Sequence, residues 1–238
     1  MIAVMCVGRS GGKRLLFTKY GKRELTLGGI ALGGALIASL VWLPWIAPVP
    51  AALLIFLFSF FRDPKRTIPP GDRDLVAAAD GRVIAIDEVF EGDYLDEQAT
   101  RISIFLSVFN VHVNRAPCAG VVEYVHYAQG KYHAAWAEDA SKQNERNSIG
   151  LSSDGPCGRL LVKQIAGLIA RRIVCDVDVS DPLQKGQRIG MIKFGSRTEI
   201  YVAGSVGFQP RVAVGDKVKG GETILGVIPQ QPAKKEGG

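Results

Sequence analysis

The chain has 238 residues, a length that suits one or two domains, and 47% of them are apolar. Its formal net charge of +6 is concentrated at the N-terminus: residues 1–24 hold six Lys or Arg and one Glu, a net +5, so the rest of the chain carries +1. That distribution excludes a basic nucleic-acid-binding surface over most of the chain. A basic segment over 1–24, beside an apolar stretch, suits an anionic lipid surface.

Residues 25–66 are predicted to associate with a membrane. No Asp, Glu, Lys or Arg occurs from Leu25 to Phe61. Three prolines at 44, 48 and 50 interrupt the stretch and stop a helix, and neither half comfortably reaches the roughly 20 residues that span a bilayer. Two interpretations remain: a hairpin of two short helices, which is favoured, or one kinked span. Basic residues flank both ends, which predicts that both lie on the cytoplasmic side of the cell membrane.

The four cysteines predict neither a metal site nor a disulfide framework. Cys6, Cys118, Cys157 and Cys175 are widely spaced and form no C-x-x-C pair. Free thiols in a reducing compartment are the expectation, and no metal cofactor is expected.

Residues 67–238 are predicted to form one mainly β domain (α+β class with the helical segment), built as an antiparallel β-sandwich. Short β-branched runs alternate with Gly, Asp and Pro turns. The predicted strands are Gly81–Ile86, Arg101–Leu106, Gly120–Val125, Arg172–Val177, Arg188–Ile192 and Glu199–Val202. The polar stretch from Ala134 to Arg146 is expected to be a short helix or a loop.

One internal repeat recurs at a spacing of 35 residues. The pattern apolar-x-Asp-x-apolar-x-x-Gly-x-x-Ile begins at Val179 and again at Val214. Each copy predicts a tight turn that leads into a strand. Two copies are too few for a solenoid and resemble the two halves of a biotinyl- or lipoyl-like flattened β-sandwich.

Five motifs occur in a characteristic order: Phe60-Phe61-Arg62-Asp63-Pro64, Ala79-Asp80-Gly81, Val111-His112-Val113-Asn114-Arg115-Ala116-Pro117, Asn144-Glu145-Arg146-Asn147 and Phe194-Gly195-Ser196-Arg197. In this order they resemble phosphatidylserine decarboxylase in its short membrane-associated form. The long form has Leu-Gly-Ser-Thr at its cleavage site; Phe194 and Arg197 differ from it and leave Gly195-Ser196 intact.

The resemblance implies that the chain cuts itself between Gly195 and Ser196 and converts Ser196 into a pyruvoyl cofactor. Removing CO2 from an amino acid leaves an electron pair that needs a sink. A carbonyl conjugated to an amide supplies one through a Schiff base with the substrate amine. The products would be a large chain, 1–195, and a small chain, 196–238, held together as a heterodimer, with homo-oligomerisation left open.

Hydroxyl attack needs a base, and His112 is the first candidate, with Asp80 as the carboxylate that orients it. The family's Asp-His-Ser triad extends cleanly to Asp80 and Ser196. The long form has a second histidine three residues after the first, where this chain has Arg115. Arg115, Asn144 and Arg146 are the predicted contacts to the phosphatidylserine head group, since Arg offers a bidentate fork to phosphate.

The expected activity is therefore conversion of phosphatidylserine to phosphatidylethanolamine and CO2 in phospholipid biosynthesis. The alternative is a non-enzymatic membrane-anchored adaptor or carrier with a biotinyl/lipoyl-like sandwich. In that case Lys193 is the only candidate for modification, and its sequence context lacks the usual flanking methionines.

Overall fold

A computed structural model describes residues 16–130, 143–167, 172–193 and 196–230. Two N-terminal helices precede a body made of antiparallel strands, which confirms the mainly β class. The described strands are β1 Asp74–Val76, β2 Gly81–Glu91, β3 Glu97–Leu106, β4 Val113–Arg115, β5 Gly120–Ala128, β6 Arg146–Ser152, β7 Arg159–Ala166, β8 Arg172–Cys175, β9 Pro182–Leu183, β10 Arg188–Lys193, β11 Ser196–Ala203, β12 Gln209–Pro210, β13 Lys217–Val218 and β14 Ile224–Val227.

The N-terminal helices form a hairpin. Helix α1 spans Lys22–Trp42 and α2 spans Pro48–Phe60, with a 3₁₀ turn at Pro44–Ile46 between them. No residue of α1 is buried, and its apolar residues lie on all sides, as in a membrane segment. With its leading turn, α1 is long and apolar enough to cross a membrane.

The two ends of the hairpin meet at its base. Phe17 and Arg62 form an antiparallel bridge, and the Thr18 amide donates to the Phe61 carbonyl at 2.8 Å. Gly21 lies so close to the Phe61 ring that a Cβ there would be 2.0 Å from it. A separate apolar cluster joins this base to the β body; its buried members are Tyr20, Phe60, Phe61, Val111, Val113 and Met191.

The strands in the described ranges form three sheets. The largest has eight strands in the order β13-β2-β3-β11-β7-β6-β5-β9, and the two smaller sheets have the orders β4-β10-β8 and β1-β14-β12. Apolar side chains of all three sheets share one core, which includes Ile102, Val162, Ile189, Ile200 and Leu225. Strand β11 lies inside the large sheet, between β3 and β7.

The sequence repeat has a structural counterpart at the two edges of the large sheet. In the first copy Leu183 of β9 pairs with Gly120, and in the second Val218 of β13 pairs with Gly81. The carboxylate of each repeat aspartate accepts a backbone N–H three residues earlier, at 3.0 Å for Asp181 and 2.8 Å for Asp216. The tight turn and short strand predicted for each copy are thus present.

Candidate active site

Ser196 is the first residue of β11, a strand in the interior of the large sheet. It pairs with Leu106 of β3 on one side and Ala166 of β7 on the other. The residue is 0% exposed, and its Oγ has no hydrogen-bond partner among the described residues. An orphaned buried hydroxyl costs roughly 1–3 kcal/mol, so this position is organised for something other than stability.

The face of β11 that carries Ser196 points between the sheets. Side chains alternate along a strand, and Ile200, on the Ser196 face, belongs to the shared core. Thr198, also on that face, accepts a 3.0 Å hydrogen bond from Asn114 of β4. The serine hydroxyl therefore faces the layer that contains β4.

A buried amide network continues from Thr198. Gln164 donates to Asn114 at 2.8 Å, and Asn147 donates to Gln164 at 2.9 Å. These side chains connect β4, β11, β7 and β6 across the interior. The sequence interpretation missed this network; its only signal was polar residues inside otherwise apolar runs.

His112 is fully buried under the base of the hairpin. Its ring lies 4.5 Å, centroid to centroid, from the ring of Phe60, the last residue of α2. Its Nδ1 is 3.0 Å from the Asn110 carbonyl oxygen. Burial lowers the pKa of His112 to about 4, because the charged imidazolium loses its hydration. The imidazole is therefore neutral at physiological pH and can accept a proton.

Two chain paths bring His112 and Ser196 into the same region. Leu106, opposite Ser196, is followed by the Ser107–Asn110 turn that leads to His112. The His112 carbonyl also accepts a 3.3 Å hydrogen bond from the Ile192 amide, four residues before Ser196. Both connections place the predicted nucleophile, Ser196, and the predicted base, His112, in the same part of the structure.

Asp80 contacts a different set of groups. Its carboxylate accepts two hydrogen bonds from Arg66 Nη2, at 2.8 and 2.9 Å, and one from the Gly220 amide at 2.8 Å. The contacts described for Asp80 do not include His112, whose Nδ1 has the Asn110 carbonyl instead. Asp80 therefore links the segment after the hairpin to the C-terminal part of the chain.

Arg115 lies in a buried ion-pair cluster. Its Nη2 is 2.7 Å from Asp63, and its Nη1 donates to the Gly186 carbonyl at 3.0 Å. Arg188 contacts the other oxygen of the same Asp63 carboxylate. Most of the guanidinium fork that was predicted for a head group is thus engaged within the protein.

The other two predicted head-group contacts differ in exposure. Asn144 is fully buried, and its side chain donates to the Ala166 carbonyl at 2.8 Å. It therefore supports the residue that lies opposite Ser196. Arg146 begins β6, opposite Ile165, and is half-buried, which makes it the more accessible of the two.

Gly195 lies outside the described residues. Of the described residues on either side of it, Lys193 ends β10 and Ser196 begins β11, and these two strands belong to different sheets. Lys193 is buried and ion-paired to Glu24 of α1 at 2.6 Å. Within the described ranges, no group of three or more His, Cys, Asp or Glu side chains is arranged to hold a metal.

Comparison with known proteins adds a consistent result. A family model described as phosphatidylserine decarboxylase matches residues 53–226. A phosphatidylserine decarboxylase proenzyme of Carboxydothermus hydrogenoformans is 47% identical over 204 residues, covering 86% of this chain and 92% of the relative. Proenzymes of the same name from Syntrophus aciditrophicus (46% over 185 residues; 77% and 85% covered) and Symbiobacterium thermophilum (45% over 201 residues; 83% and 92% covered) are similar to it as well.

Proposed function

The chain belongs to the phosphatidylserine decarboxylase family, and we propose that it is made as a proenzyme that cuts itself before Ser196 and then converts phosphatidylserine to phosphatidylethanolamine and CO2. Membership makes it a carboxy-lyase. The proposal is carried by the buried, unpartnered Oγ of Ser196 at the start of the central strand β11.

Self-cleavage requires Ser196 Oγ to attack the Gly195 carbonyl carbon, which replaces the peptide bond by an ester. Loss of the Ser196 α proton then expels the Gly195 carboxylate and leaves dehydroalanine. Its hydrolysis consumes one water and releases ammonia, and a pyruvoyl group remains on the small chain. A buried position with no competing hydrogen bond keeps the hydroxyl available for this attack.

His112 is the proposed acceptor of the Ser196 hydroxyl proton. Its lowered pKa keeps it neutral at pH 7, the form in which an imidazole acts as a base. The Asn110 carbonyl next to Nδ1 favours the tautomer with the proton on Nδ1, which leaves Nε2 as the basic nitrogen.

Asp80 remains part of the proposal, with a positioning role that fits its contacts. Its carboxylate binds Arg66, from the segment expected in the large chain, and the Gly220 amide, from the segment expected in the small chain. Such a link would hold the two products in register after cleavage. Asn144 would act through Ala166, the residue paired with Ser196.

Substrate binding is assigned to the basic groups near the site. Arg146 is the accessible candidate for the head-group phosphate, because a guanidinium binds phosphate through two parallel hydrogen bonds. Arg115 would act from within its ion-pair cluster. The pyruvoyl group supplies the electron sink for the decarboxylation, and the large and small chains form the working heterodimer.

We propose that the hairpin holds this site at the cytoplasmic face of the cell membrane, where a two-chain lipid is available. The apolar, unburied α1 and the basic residues at the hairpin base support that position. The two edge repeats support a biotinyl/lipoyl-like sandwich for the β body. The adaptor alternative is not favoured, since the Lys193 amine that it would modify is buried against Glu24.

The test is the intact mass of the purified protein. Cleavage before Ser196 should release a fragment of about 4.6 kDa, since the 238 residues weigh 25.6 kDa and 43 of them follow the cut. That fragment should lack a free N-terminal amine and react with carbonyl reagents. Ser196→Ala should remain one chain without activity, whereas Ser148→Ala, a matched change at another buried serine, should be processed. A single unprocessed wild-type chain would overturn the proposal.

A further inference from the structure

We propose that Phe109 is a membrane-inserting anchor that extends the lipid-facing surface of the hairpin to the turn that holds His112. The occupant of this surface is a bilayer rich in anionic lipid. The inference rests on the proposed lipid substrate and adds how the substrate reaches the site.

Phe109 is an exposed aromatic side chain that continues the hairpin surface. It is 73% exposed, and its ring packs edge-on against that of Phe56 at a centroid distance of 6.3 Å. Phe56 precedes the end of α2 by four residues, which is about 6 Å along a helix axis. Phe109 is thus level with the first turn above the hairpin base.

Aromatic residues also line another side of the base. Phe17 and Phe58 are both exposed and lie 5.5 Å apart between ring centroids. Phe rings at this level would meet the boundary between head groups and acyl chains, if the hairpin is in a bilayer. Phe109 is the member of this group that the β body contributes.

The turn that presents Phe109 is tightly held. The Asn110 side chain accepts hydrogen bonds from the Ser107 amide at 2.9 Å and the Ser107 hydroxyl at 2.7 Å. Arg62 Nη2 donates to the Phe109 carbonyl at 2.8 Å. The Asn110 carbonyl in turn contacts His112 Nδ1. The insertion depth of Phe109 therefore sets the distance of His112 from the membrane surface.

Charge at the hairpin base suits anionic lipid. Lys22, Arg23 and Lys65 are exposed there, and each basic residue near an anionic surface adds about 1 kcal/mol of attraction. Phe90 makes a contrast: it is 61% exposed at the end of β2, beside the acidic turn that contains Asp93 and Asp96. A single exposed phenylalanine is common on protein surfaces. Phe109, in contrast, continues the apolar surface of the hairpin beside the exposed basic residues at its base, and this combination indicates contact with a bilayer.

The consequence concerns substrate access. With Phe109 inserted, a phosphatidylserine head group can reach the His112 region while its acyl chains stay in the bilayer. A substrate that is monomeric in water would reach the site without insertion of Phe109 into a bilayer.

The experiment compares Phe109→Ser with its matched control Phe90→Ser in reconstituted vesicles of phosphatidylserine and phosphatidylcholine. Phe109→Ser should lower decarboxylation of vesicular phosphatidylserine about tenfold, a loss of about 1.4 kcal/mol in membrane binding, because the variant removes an apolar side chain from the bilayer. Its activity on short-chain monomeric phosphatidylserine and its self-cleavage should stay within about twofold of the unsubstituted protein. Phe90→Ser should match the unsubstituted protein on both substrates.

Insertion is measured directly with Phe109→Trp and Phe90→Trp. Brominated lipid should quench fluorescence beyond the unsubstituted background only for Phe109→Trp. Equal losses on vesicular and monomeric substrate, or no added quenching, would overturn the anchor. Failure of the proposed function itself has a different signature: the unsubstituted protein would release no CO2 from either substrate.

Discussion

Lys193 Nζ lies 2.6 Å from the carboxylate of Glu24, which joins the last residue of β10 to the first turn of helix α1. The ammonium also lies 5.9 Å from the centroid of the Phe61 ring. Since Ser196 follows Lys193 by three residues, the chain is tied to the hairpin just before the proposed cleavage site and to the large sheet just after it.

Removing this anchor should slow self-cleavage. Lys193→Met keeps most of the side chain's volume but breaks the ion pair, so we expect processing in cell-free translation to slow by roughly tenfold, since small misplacements at a reacting centre cost this much or more. Lys217→Met, at an exposed site on β13, is the control. Unchanged processing of Lys193→Met would mean that the ion pair plays no part in aligning the scissile bond.

His112 should set the pH dependence of cleavage. Because burial lowers its pKa to about 4, the neutral base is present at pH 5 and above, and the rate should stay level from pH 8 to pH 5 and fall below that. His112→Gln should slow processing by about 10²–10⁴-fold, the usual contribution of a general base. His126→Gln, at an exposed site on β5, should process normally. A rate that halves near pH 6.5 would place the base elsewhere.

The same histidine should make the fold sensitive to acid. Its pKa is about 4 in the fold, against 6.5 for the unperturbed side chain, so between these values the unfolded chain binds the extra proton. Stability should therefore be complete above pH 6.5 and fall as the pH drops towards 4, by about 3 kcal/mol. Denaturant titrations of Ser196→Ala, which stays one chain, measure this loss. Adding His112→Gln should flatten the pH dependence; an equally steep dependence would contradict the assignment.

Asp80 and Arg66 should behave as one unit. Both side chains are largely buried, with exposures of 13% and 6%, and removing one partner of a buried ion pair costs about 3–5 kcal/mol. We expect Asp80→Asn and Arg66→Gln to lower the melting temperature and to slow processing to similar extents.

The double variant should add little further loss, because the two substitutions remove the same interaction. Arg73→Gln, at an exposed arginine, is the control. If Asp80→Asn instead stopped cleavage as completely as Ser196→Ala while Arg66→Gln had no effect, Asp80 would act directly in the chemistry.

The elements of the fold that could be predicted from the sequence are those encoded by short local patterns. The β-branched runs of β2, β3, β5 and β11 and the two Asp-containing turns follow from periodicity and turn chemistry, and the structure has them all. Strands β6 and β7 went unpredicted because Asn147, Lys163 and Gln164 interrupt their apolar patterns. Those side chains are buried and donate hydrogen bonds to residues of other strands, which no local pattern reveals.

The candidate site also has one part that local motifs predict and another part that depends on tertiary contacts. The ordered motifs predicted Ser196 and His112 as site residues, because each motif is a short local sequence. The partners of Asp80 depend on tertiary pairing: Gly220 lies 140 residues away along the chain. Arg115 stands where the long form of the family has its second histidine, so the sequence indicated that this position differs from the long form. In the structure Arg115 lies in an ion-pair cluster with Asp63.

The position of β11 determines whether the protein can refold after it has been cleaved. Each strand described between Ser196 and residue 230 pairs with a strand that precedes Ser196 or with another strand of this C-terminal part: β11 with β3 and β7, β13 with β2, and β14 with β1 and β12. Before the cut these pairings form within one molecule, whereas afterwards the separated pieces must find each other, an encounter that depends on concentration. A denatured mature enzyme should therefore not recover on dilution. Folding must be finished before cleavage, and each translated chain has a single opportunity to assemble.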